Sequence, residues 1–195
     1  MKKVLILFLL IIGIAVANTP PADKARGIFV AVGVGPRLPF SEFSNSTNIG
    51  YGFNLELAYT DNEYLPIFIF GKVGFEQYSA SQDFYQTSEY SHLSHQFLPF
   101  QVGARYYLPA VLENIIIVIP SIEVGANFVI FQNLHQYKSN SGRANFLEDG
   151  SKFGFNAGVG VSMFLIEAVA SYNYYKSTQY FSFDLKVRLP LFVSL

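Results

Sequence analysis

A strict alternation of apolar and polar residues near the carboxyl end limits what this chain can fold into. In the segment YFSFDLKVRL, residues 180–189, apolar side chains occupy every second position from Phe181 to Leu189. A serine, an aspartate, a lysine and an arginine fill the positions between them. Successive side chains of a β-strand point to opposite faces of the sheet. The segment therefore predicts a strand with one apolar face and one charged face.

The same period of two recurs along the rest of the chain. The segment YGFNLELAY, residues 51–59, places large apolar residues at odd positions and small or polar ones at even positions, whereas a helix would mix the two sets. Eight segments show the pattern, at 27–37, 51–59, 66–78, 96–108, 115–131, 152–164, 166–176 and from about 180 onward.

The segments between these strands alternate in length. Polar segments at about 38–48, 79–95 and 132–151 are long, whereas the connections between them are short. Short turns at one end and long loops at the other are typical of outer-membrane barrels. We therefore predict an all-β fold, an eight-stranded antiparallel up-and-down transmembrane β-barrel over residues 27–195, with short periplasmic turns and long extracellular loops.

The amino terminus has the pattern of a secretory signal peptide. Two lysines precede an apolar run over residues 4–16, and Ala15-Val16-Ala17 is a small-x-small cleavage sequence. The run is shorter than the roughly 20 residues that a spanning helix needs. We predict a cleaved signal peptide over residues 1–17, cut after Ala17, and a short segment over 18–26 before the barrel.

Composition favours an apolar face directed at lipid. Hydrophobic residues make up 51% of the chain and charged residues only 14%, against about 25% charged in ordinary soluble domains. A net charge of −1 gives no electrostatic basis for nucleic-acid binding. A secreted, lipocalin-like soluble carrier, with an apolar interior and a polar exterior, is the inverse alternative. The residues predicted to face lipid include Phe53, Leu55, Leu57, Ile67, Ile69, Phe155, Phe181, Phe183, Leu185 and Val187.

The opposite face of the strands must then line the interior. Eight strands enclose a space just wide enough for side chains to fill, and buried charges need partners. The predicted inward charges are four acidic and four basic, which would allow a charge-paired, plugged interior rather than a narrow pore. They are Glu56, Lys72, Glu76, Arg105, Glu123, Asp184, Lys186 and Arg188.

With these features the chain resembles the small outer-membrane β-barrel proteins of the OmpA-like superfamily. The resemblance covers nearly all of the chain after the signal peptide and implies location in the outer membrane of a Gram-negative-type bacterium. Such barrels usually end on an aromatic residue, whereas this chain ends LPLFVSL, with Phe192 three residues before the last. Either Leu195 continues the lipid-facing series of residues 189–193, or the last strand ends near Pro190.

Two loop segments contain residue types that can carry chemistry. His92 and His95 form an H-x-x-H pair to which Glu89 or Asp83 could add a third metal ligand. Three histidines in the whole chain make a solvated polar loop the better interpretation, and we predict no metal site and no cofactor.

His135, Ser139 and Glu148 are the residue types of the outer-membrane lipid A deacylases, which are eight-stranded barrels. Those enzymes resemble this chain in the order of the three residues, but they hold His and Ser two residues apart on one strand, as H-x-S-N. Here the separation is four, inside a predicted loop. A nucleophilic serine needs a base within hydrogen-bonding reach, so we predict no enzyme, with a lipid-modifying enzyme as the alternative.

The sequence thus predicts a structural or surface-binding barrel, acting in adhesion or recognition. Loops on rigid scaffolds usually carry recognition, and Tyr85, Tyr90 and Tyr137 suit contact with an extracellular protein or glycan. Membrane lipid is the other expected partner, and we expect a monomer.

Overall fold

The computed structural model describes residues 26–61, 65–111 and 117–194. The predicted signal peptide, its cleavage after Ala17 and most of the 18–26 segment lie outside these residues. The described chain forms eight strands: β1 (Arg26–Phe40), β2 (Gly50–Asp61), β3 (Leu65–Ser79), β4 (Tyr90–Tyr107), β5 (Ile119–Tyr137), β6 (Phe146–Met163), β7 (Ile166–Tyr175) and β8 (Thr178–Ser194).

The eight strands close into a barrel. Each strand pairs antiparallel with the next, and β8 returns to β1 in a register that runs from Arg26 opposite Ser194 to Phe40 opposite Gln179. Within the closed barrel every strand is paired on both sides, which removes there the exposed edges of an open sheet. The predicted fold class is confirmed. We call the end that carries Arg26 and Ser194 the turn end, and the opposite end the loop end.

Two short helical segments lie at the loop end. A 3₁₀ helix spans Ser41–Asn45, and α1 spans Gln82–Thr87. The Ser81 hydroxyl accepts a hydrogen bond from the Phe84 amide at 3.3 Å, which satisfies one of the amides that a helix start leaves without a partner. Over the described ranges, no helix combines the length and the apolarity needed to cross a membrane.

The period of two in the sequence sets which side chains point into the barrel. On β2 the side chain of Glu56 is completely buried, whereas its neighbours Leu55 and Leu57 are 50% and 54% exposed on the outer surface. The outward apolar band runs from residue 98 to 106 on β4 and from 181 to 189 on β8, nine residues each. Tilted membrane-spanning strands need about 9–11 residues.

Three strands extend six residues further toward the loop end than the alternation predicted, and β1 extends three residues further. Residues 90–95, 132–137 and 146–151, which were expected in loops, belong to β4, β5 and β6, and residues 38–40 belong to β1. The predicted loops at 38–48, 79–95 and 132–151 are therefore too long. Above the apolar band both faces of these strands carry polar residues, so the period disappears although backbone pairing, which does not depend on side-chain polarity, continues.

The end of β8 contains an irregularity. The strand continues past Pro190 to Ser194, with a register shift that places Phe192 opposite Ile28, while Pro190 lies opposite Phe29. An extra residue in one strand of a pair changes the face on which later residues lie. Phe192 therefore points outward, and neither an unbroken series at 189–193 nor a strand end near Pro190 describes this segment.

Candidate functional site

A buried carboxylate, that of Glu56, is the centre of an ion cluster near the turn end of the barrel. Arg105 binds it with two parallel contacts, Nη1 to Oε1 at 2.7 Å and Nη2 to Oε2 at 2.9 Å. Lys186 Nζ lies 2.8 Å from Oε2, and Arg188 Nη2 lies 2.9 Å from Oε1. The side chains of Glu56, Arg105 and Lys186 have no exposed surface, so each of these charges depends on the others.

Three further charged side chains complete this turn-end cluster. Arg105 Nη2 contacts Glu123 Oε2 at 2.6 Å, and Arg188 Nη2 contacts Glu167 Oε2 at 2.7 Å. Lys72 Nζ approaches Glu123 Oε1 at 3.6 Å. The Tyr107 hydroxyl donates to Glu167 at 3.1 Å and accepts a hydrogen bond from Arg188.

A second, smaller ion cluster lies nearer the loop end. Arg37 donates from Nε to Glu76 Oε1 at 2.7 Å and from Nη2 to Asp184 Oδ1 at 2.9 Å. Asn54 Nδ2 also donates to Asp184 Oδ1, at 3.0 Å, and the Tyr78 hydroxyl donates to Glu76 Oε2 at 2.9 Å.

The two clusters contain the eight inward charges that the sequence indicates, together with Arg37 and Glu167, which it did not. The inward position of Arg37 could have been predicted, because Arg37 lies on the same face of β1 as Gly33 and Gly35. Glu167 lies on β7, where alanines at 168 and 170 occupy the outer face and weaken the alternation. With these two residues the clusters hold five basic and five acidic side chains.

Inward glycines leave the space that these long side chains need. A Cβ added to Gly33 would lie 2.8 Å from Lys186 Cγ and 2.9 Å from Asn54 Oδ1. At Gly158 it would lie 3.0 Å from Glu123 Cγ. All three distances are shorter than normal van der Waals contacts, so larger residues at these two positions would displace side chains of the ion clusters.

An aromatic layer fills the barrel above the ion clusters. Phe43, from the 3₁₀ helix, packs against Tyr78 and Phe97 with ring centroids 5.1 and 5.8 Å apart, and Tyr175 and Tyr180 complete the layer. Below it, an internal cavity lined by side chains of both ion clusters has a volume of about 10 Å³, enough for about one water molecule.

The residues predicted to face lipid lie on the outer surface of the barrel. Phe155 on β6 is 51% exposed and Leu185 on β8 is 58% exposed. Large exposed apolar side chains cover the outer faces of all eight strands. A surface of this extent, far larger than the few hundred Å² typical of soluble monomers, is suited to an apolar environment. The remaining members of the predicted set are on the same face: Phe53, Leu55, Leu57, Ile67, Ile69, Phe181, Phe183 and Val187.

At the loop end, β4, β5 and β6 rise above the rest of the barrel. Pairing between β3 and β4 ends at Ser79 opposite Ser94, and pairing between β6 and β7 ends at Gly154 opposite Tyr175. Beyond these points the three strands continue as a sheet of their own. We call residues 90–95, 131–137 and 146–150 the raised sheet. Its inner face overlooks the barrel mouth.

A hydrogen-bonded network covers the inner face of the raised sheet. Glu148 Oε2 accepts from Asn133 Nδ2 at 3.0 Å and lies 3.2 Å from His135 Nε2. His135 Nδ1 lies 3.3 Å from the Tyr90 hydroxyl, to which the Tyr137 hydroxyl donates at 3.2 Å. The hydrogen bond from Asn133 and then that from His135 hold the pKa of Glu148 below its ordinary value. The Tyr137 hydroxyl, with burial, raises the pKa of Tyr90 to about 12.

Stacked rings accompany this network. The rings of His135 and Phe146 are nearly parallel, 6° apart, with centroids at 4.4 Å. Tyr90 and Tyr137 stack at 4.6 Å, and the Arg143 guanidinium lies 5.5 Å from the centre of the Tyr137 ring. We call Tyr90, Asn133, His135, Tyr137, Phe146 and Glu148 the rim cluster.

The structure places the predicted catalytic and metal residues only partly together. His135 and Glu148 are in contact, but Ser139 lies in the 138–145 loop, and both ring nitrogens of His135 contact other groups. His95 Nδ1 lies 2.7 Å from Asn133 Oδ1, and the His92 ring stacks on Tyr85. Within the part of the chain that the structure describes, no three His, Asp or Glu side chains are arranged to hold a metal ion.

The two edges of the raised sheet differ. On β4 the Tyr85 hydroxyl lies 3.0 Å from the carbonyl oxygen of Leu93 and 3.2 Å from its amide nitrogen, so α1 covers this edge. On β6, residues 146–153 pair with β5 but, among the described residues, with no strand on the other side. This edge exposes backbone donors and acceptors over eight residues.

Comparison with solved structures finds barrels of the same kind. The crystal structure of Neisserial surface protein A is similar at 16% sequence identity and a TM-score of 0.51, over 86% of this chain and 99% of that chain. Ail, the attachment invasion locus protein of Yersinia pestis, is 17% identical over 86% of this chain and all of that one, with a TM-score of 0.48. The amino-terminal β-barrel domain of Pseudomonas aeruginosa OprF is 9% identical, with coverage of 85% and 100% and a TM-score of 0.41.

Comparisons based on sequence add no relative. No protein-family model matches the chain, and no curated protein matches it. At 16% identity, the similarity to Neisserial surface protein A extends to the fold. The fold that the resemblance implied is thereby confirmed: the chain forms an eight-stranded, closed antiparallel barrel, as Neisserial surface protein A does.

Proposed function

We propose that this protein is an outer-membrane β-barrel that binds an extracellular partner through its raised sheet and acts without catalysis. The observation that carries the proposal is the difference between the two ends of the barrel. At the turn end β8 pairs with β1 as far as Ser194 opposite Arg26, whereas at the loop end three strands extend beyond their neighbours and present an unpaired edge and a polar, aromatic face. Barrels that only anchor themselves in a membrane have no need of such an extension.

The outer surface supports location in a membrane. The apolar band of about nine residues per strand matches the length that tilted spanning strands require. The charged residues lie on the opposite, inner face, where they neutralise one another. A soluble, lipocalin-like carrier would need the reverse arrangement, with an apolar cavity inside and charges outside.

The interior supports a plugged barrel rather than a pore. Ten charged side chains in two clusters, followed by the aromatic layer, occupy successive levels of the interior. The cavity between the clusters holds about one water molecule. A lipid-modifying enzyme is less well supported, because Ser139 lies outside hydrogen-bonding contact with His135.

Heat-modifiable gel mobility tests the membrane location. Outer membranes are washed with urea, and the protein is then run in detergent with and without boiling. We expect it to remain in the membrane fraction and to change position on boiling, because a closed sheet survives detergent until it is heated. Release by urea, with one mobility in both samples, would refute the membrane assignment.

A trimmed hairpin tests the binding role. Replacing residues 134–147 by Asn-Gly joins Asn133 to Glu148 by a two-residue turn that favours hairpins. The variant keeps the spanning band and both ion clusters but loses most of the raised sheet. We expect heat modifiability to be unchanged and adherence of expressing bacteria to epithelial cells and matrix-coated surfaces to fall to the level of the empty vector. Undiminished adherence would refute the role of the raised sheet.

A further inference from the structure

We propose that the rim cluster is a carbohydrate-binding site that accepts a neutral or amino sugar residue, stacked on Phe146 and hydrogen-bonded to Glu148. The inference rests on the proposed surface-binding function and specifies its ligand. It is drawn from the order of side chains along the inner face of β6, from the contacts that these side chains already make, and from the contacts that they leave open.

Phe146 offers one open aromatic face. His135 covers one side of its ring at 4.4 Å. Because β6 is the edge strand at this level, the described chain provides no strand on the other side, and Phe146 is 47% exposed. A flat ring supported from behind and open in front suits the apolar C–H face of a pyranose, whereas an isolated exposed phenylalanine gains nothing from solvent.

Glu148 lies two residues further along the same strand and the same face. Its Oε2 atom is taken by Asn133 and His135, whereas its Oε1 atom accepts no hydrogen bond from the described residues. The side chain is half exposed. Fixed by two donors and ionised, it is an oriented acceptor for sugar hydroxyl groups, and hydrogen bonds to charged groups are the stronger kind.

The surrounding charges select against an anionic ligand. The three cations near the rim cluster are already engaged. Arg143 pairs with Glu89 at 3.1 Å, and Lys138 Nζ donates to two backbone carbonyl oxygens at 2.8 Å. Lys152 Nζ donates to the Thr178 hydroxyl at 2.8 Å. A ligand that supplies hydrogen-bond donors, such as a hydroxyl-rich or amino sugar, is favoured over a sulfated or phosphorylated glycan.

The site ends at Gly150 on the side that faces the barrel. It follows Glu148 on the inner face, and a Cβ there would lie 2.8 Å from the Phe131 ring. Beyond it, Lys152 donates to Thr178 Oγ1 at 2.8 Å. The Phe131 ring therefore occupies the space above Gly150, and Phe131 and Lys152 bound the site on the side of the barrel.

Binding to defined saccharides tests this inference on the full chain in lipid nanodiscs. The probes are glucose, galactose, mannose, N-acetylglucosamine, glucosamine and their β-linked oligomers, with sucrose octasulfate as the anionic comparison. Binding is followed by saturation-transfer NMR and by shifts of the Phe146 and Glu148 amides. We expect at least one uncharged or amino sugar to bind, with a dissociation constant at least tenfold lower than that of the sulfated probe.

Matched variants identify the site. Phe146→Ala and Glu148→Gln are each expected to weaken sugar binding at least tenfold, and Phe146→Leu to weaken it nearly as much, because stacking needs a flat ring. Leu147→Ala, next in sequence and 56% exposed on the outer face, should leave binding unchanged. Equal loss in Leu147→Ala, or tighter binding of the sulfated probe, would overturn the site.

The saccharide-binding experiment and the adherence experiment can fail independently of each other. If the trimmed hairpin abolishes adherence but no sugar binds the native protein, the carbohydrate site is wrong and the surface-binding role stands with another partner. If adherence does not depend on the raised sheet, the proposed function fails, whether or not the rim cluster binds sugar in nanodiscs.

Discussion

The turn-end ion cluster and the rim cluster are built from the same kinds of residue but differ in what they leave open. Glu56 has both oxygens occupied by three basic side chains and no exposed surface. Glu148 has one oxygen occupied, and half of its side chain is exposed. A carboxylate whose contacts are complete contributes to the stability of the native barrel, whereas one held in place with an unused oxygen is available to a ligand.

The largest expected effect follows from removing the centre of the interior. Glu56→Ala leaves Arg105, Lys186 and Arg188 with an uncompensated buried charge, and breaking such a pair costs about 3–5 kcal/mol. We expect loss of the heat-modifiable form or a lowered urea midpoint for unfolding in lipid vesicles. Glu148→Gln is the control and should shift stability by less than about 0.5 kcal/mol, as exposed substitutions do. If the two variants lowered stability equally, the proposed difference between the turn-end ion cluster and the rim cluster would be wrong.

Removing one tyrosine hydroxyl from each region sharpens the comparison. Tyr78 is buried and donates to the Glu76 carboxylate at 2.9 Å, so Tyr78→Phe should lower the free energy of unfolding by about 1.5–3 kcal/mol, the range for hydrogen bonds to charged groups. Tyr137→Phe removes a part-buried hydroxyl that donates to another neutral hydroxyl, that of Tyr90. There we expect a change below about 0.5 kcal/mol. Urea titration of both variants in the same vesicles measures the difference, and a larger effect at Tyr137 would contradict it.

The raised sheet provides a third, local comparison between its two edges. Tyr85→Phe removes the hydroxyl that contacts both the amide and the carbonyl of Leu93. A neutral hydrogen bond contributes about 1 kcal/mol, so we expect the Leu93 amide to exchange with deuterium roughly fivefold faster. Global stability should not change, because opening at this edge is local. Exchange at Leu93 that remains as slow as in the native protein would show that α1, and not the hydroxyl, protects the edge.

The difference between the regions also explains what the sequence could predict. Within the apolar band, an outward-facing residue and an interior residue differ sharply in polarity, so the alternation predicted the strands, the barrel and eight of the ten cluster charges. Arg37 was missed because the strand was ended at it, and Glu167 because alanines on β7 blur the outer face.

The alternation of polarity could not predict that the residues of the rim cluster lie together. His135, Glu148, Tyr90 and Tyr137 were each recognised as candidates, but they were assigned to loops, where no register relates them. The pairing of Tyr90 with Tyr137 across β4 and β5 brings the two tyrosines together. The pairing of Asn133 with Glu148 across β5 and β6 brings Glu148 next to His135. Above the apolar band both faces of the strands meet water, so polar residues do not alternate with apolar ones. The sequence pattern therefore cannot show which residues of neighbouring strands lie opposite each other.

The smallest expected effect is a pH-dependent loosening of the rim cluster. Because donors from Asn133 and His135 lower the pKa of Glu148, its ionised form is favoured in the native state. Its contribution is therefore complete at neutral pH and is lost as the pH falls through this lowered value, below the ordinary glutamate pKa of about 4.3. The Asn133 side-chain amide signals in NMR spectra should shift with a midpoint below that value, while signals of Tyr78 in the interior stay constant. Glu148→Gln should abolish the transition, and a midpoint above the ordinary value would mean that burial outweighs the two donors.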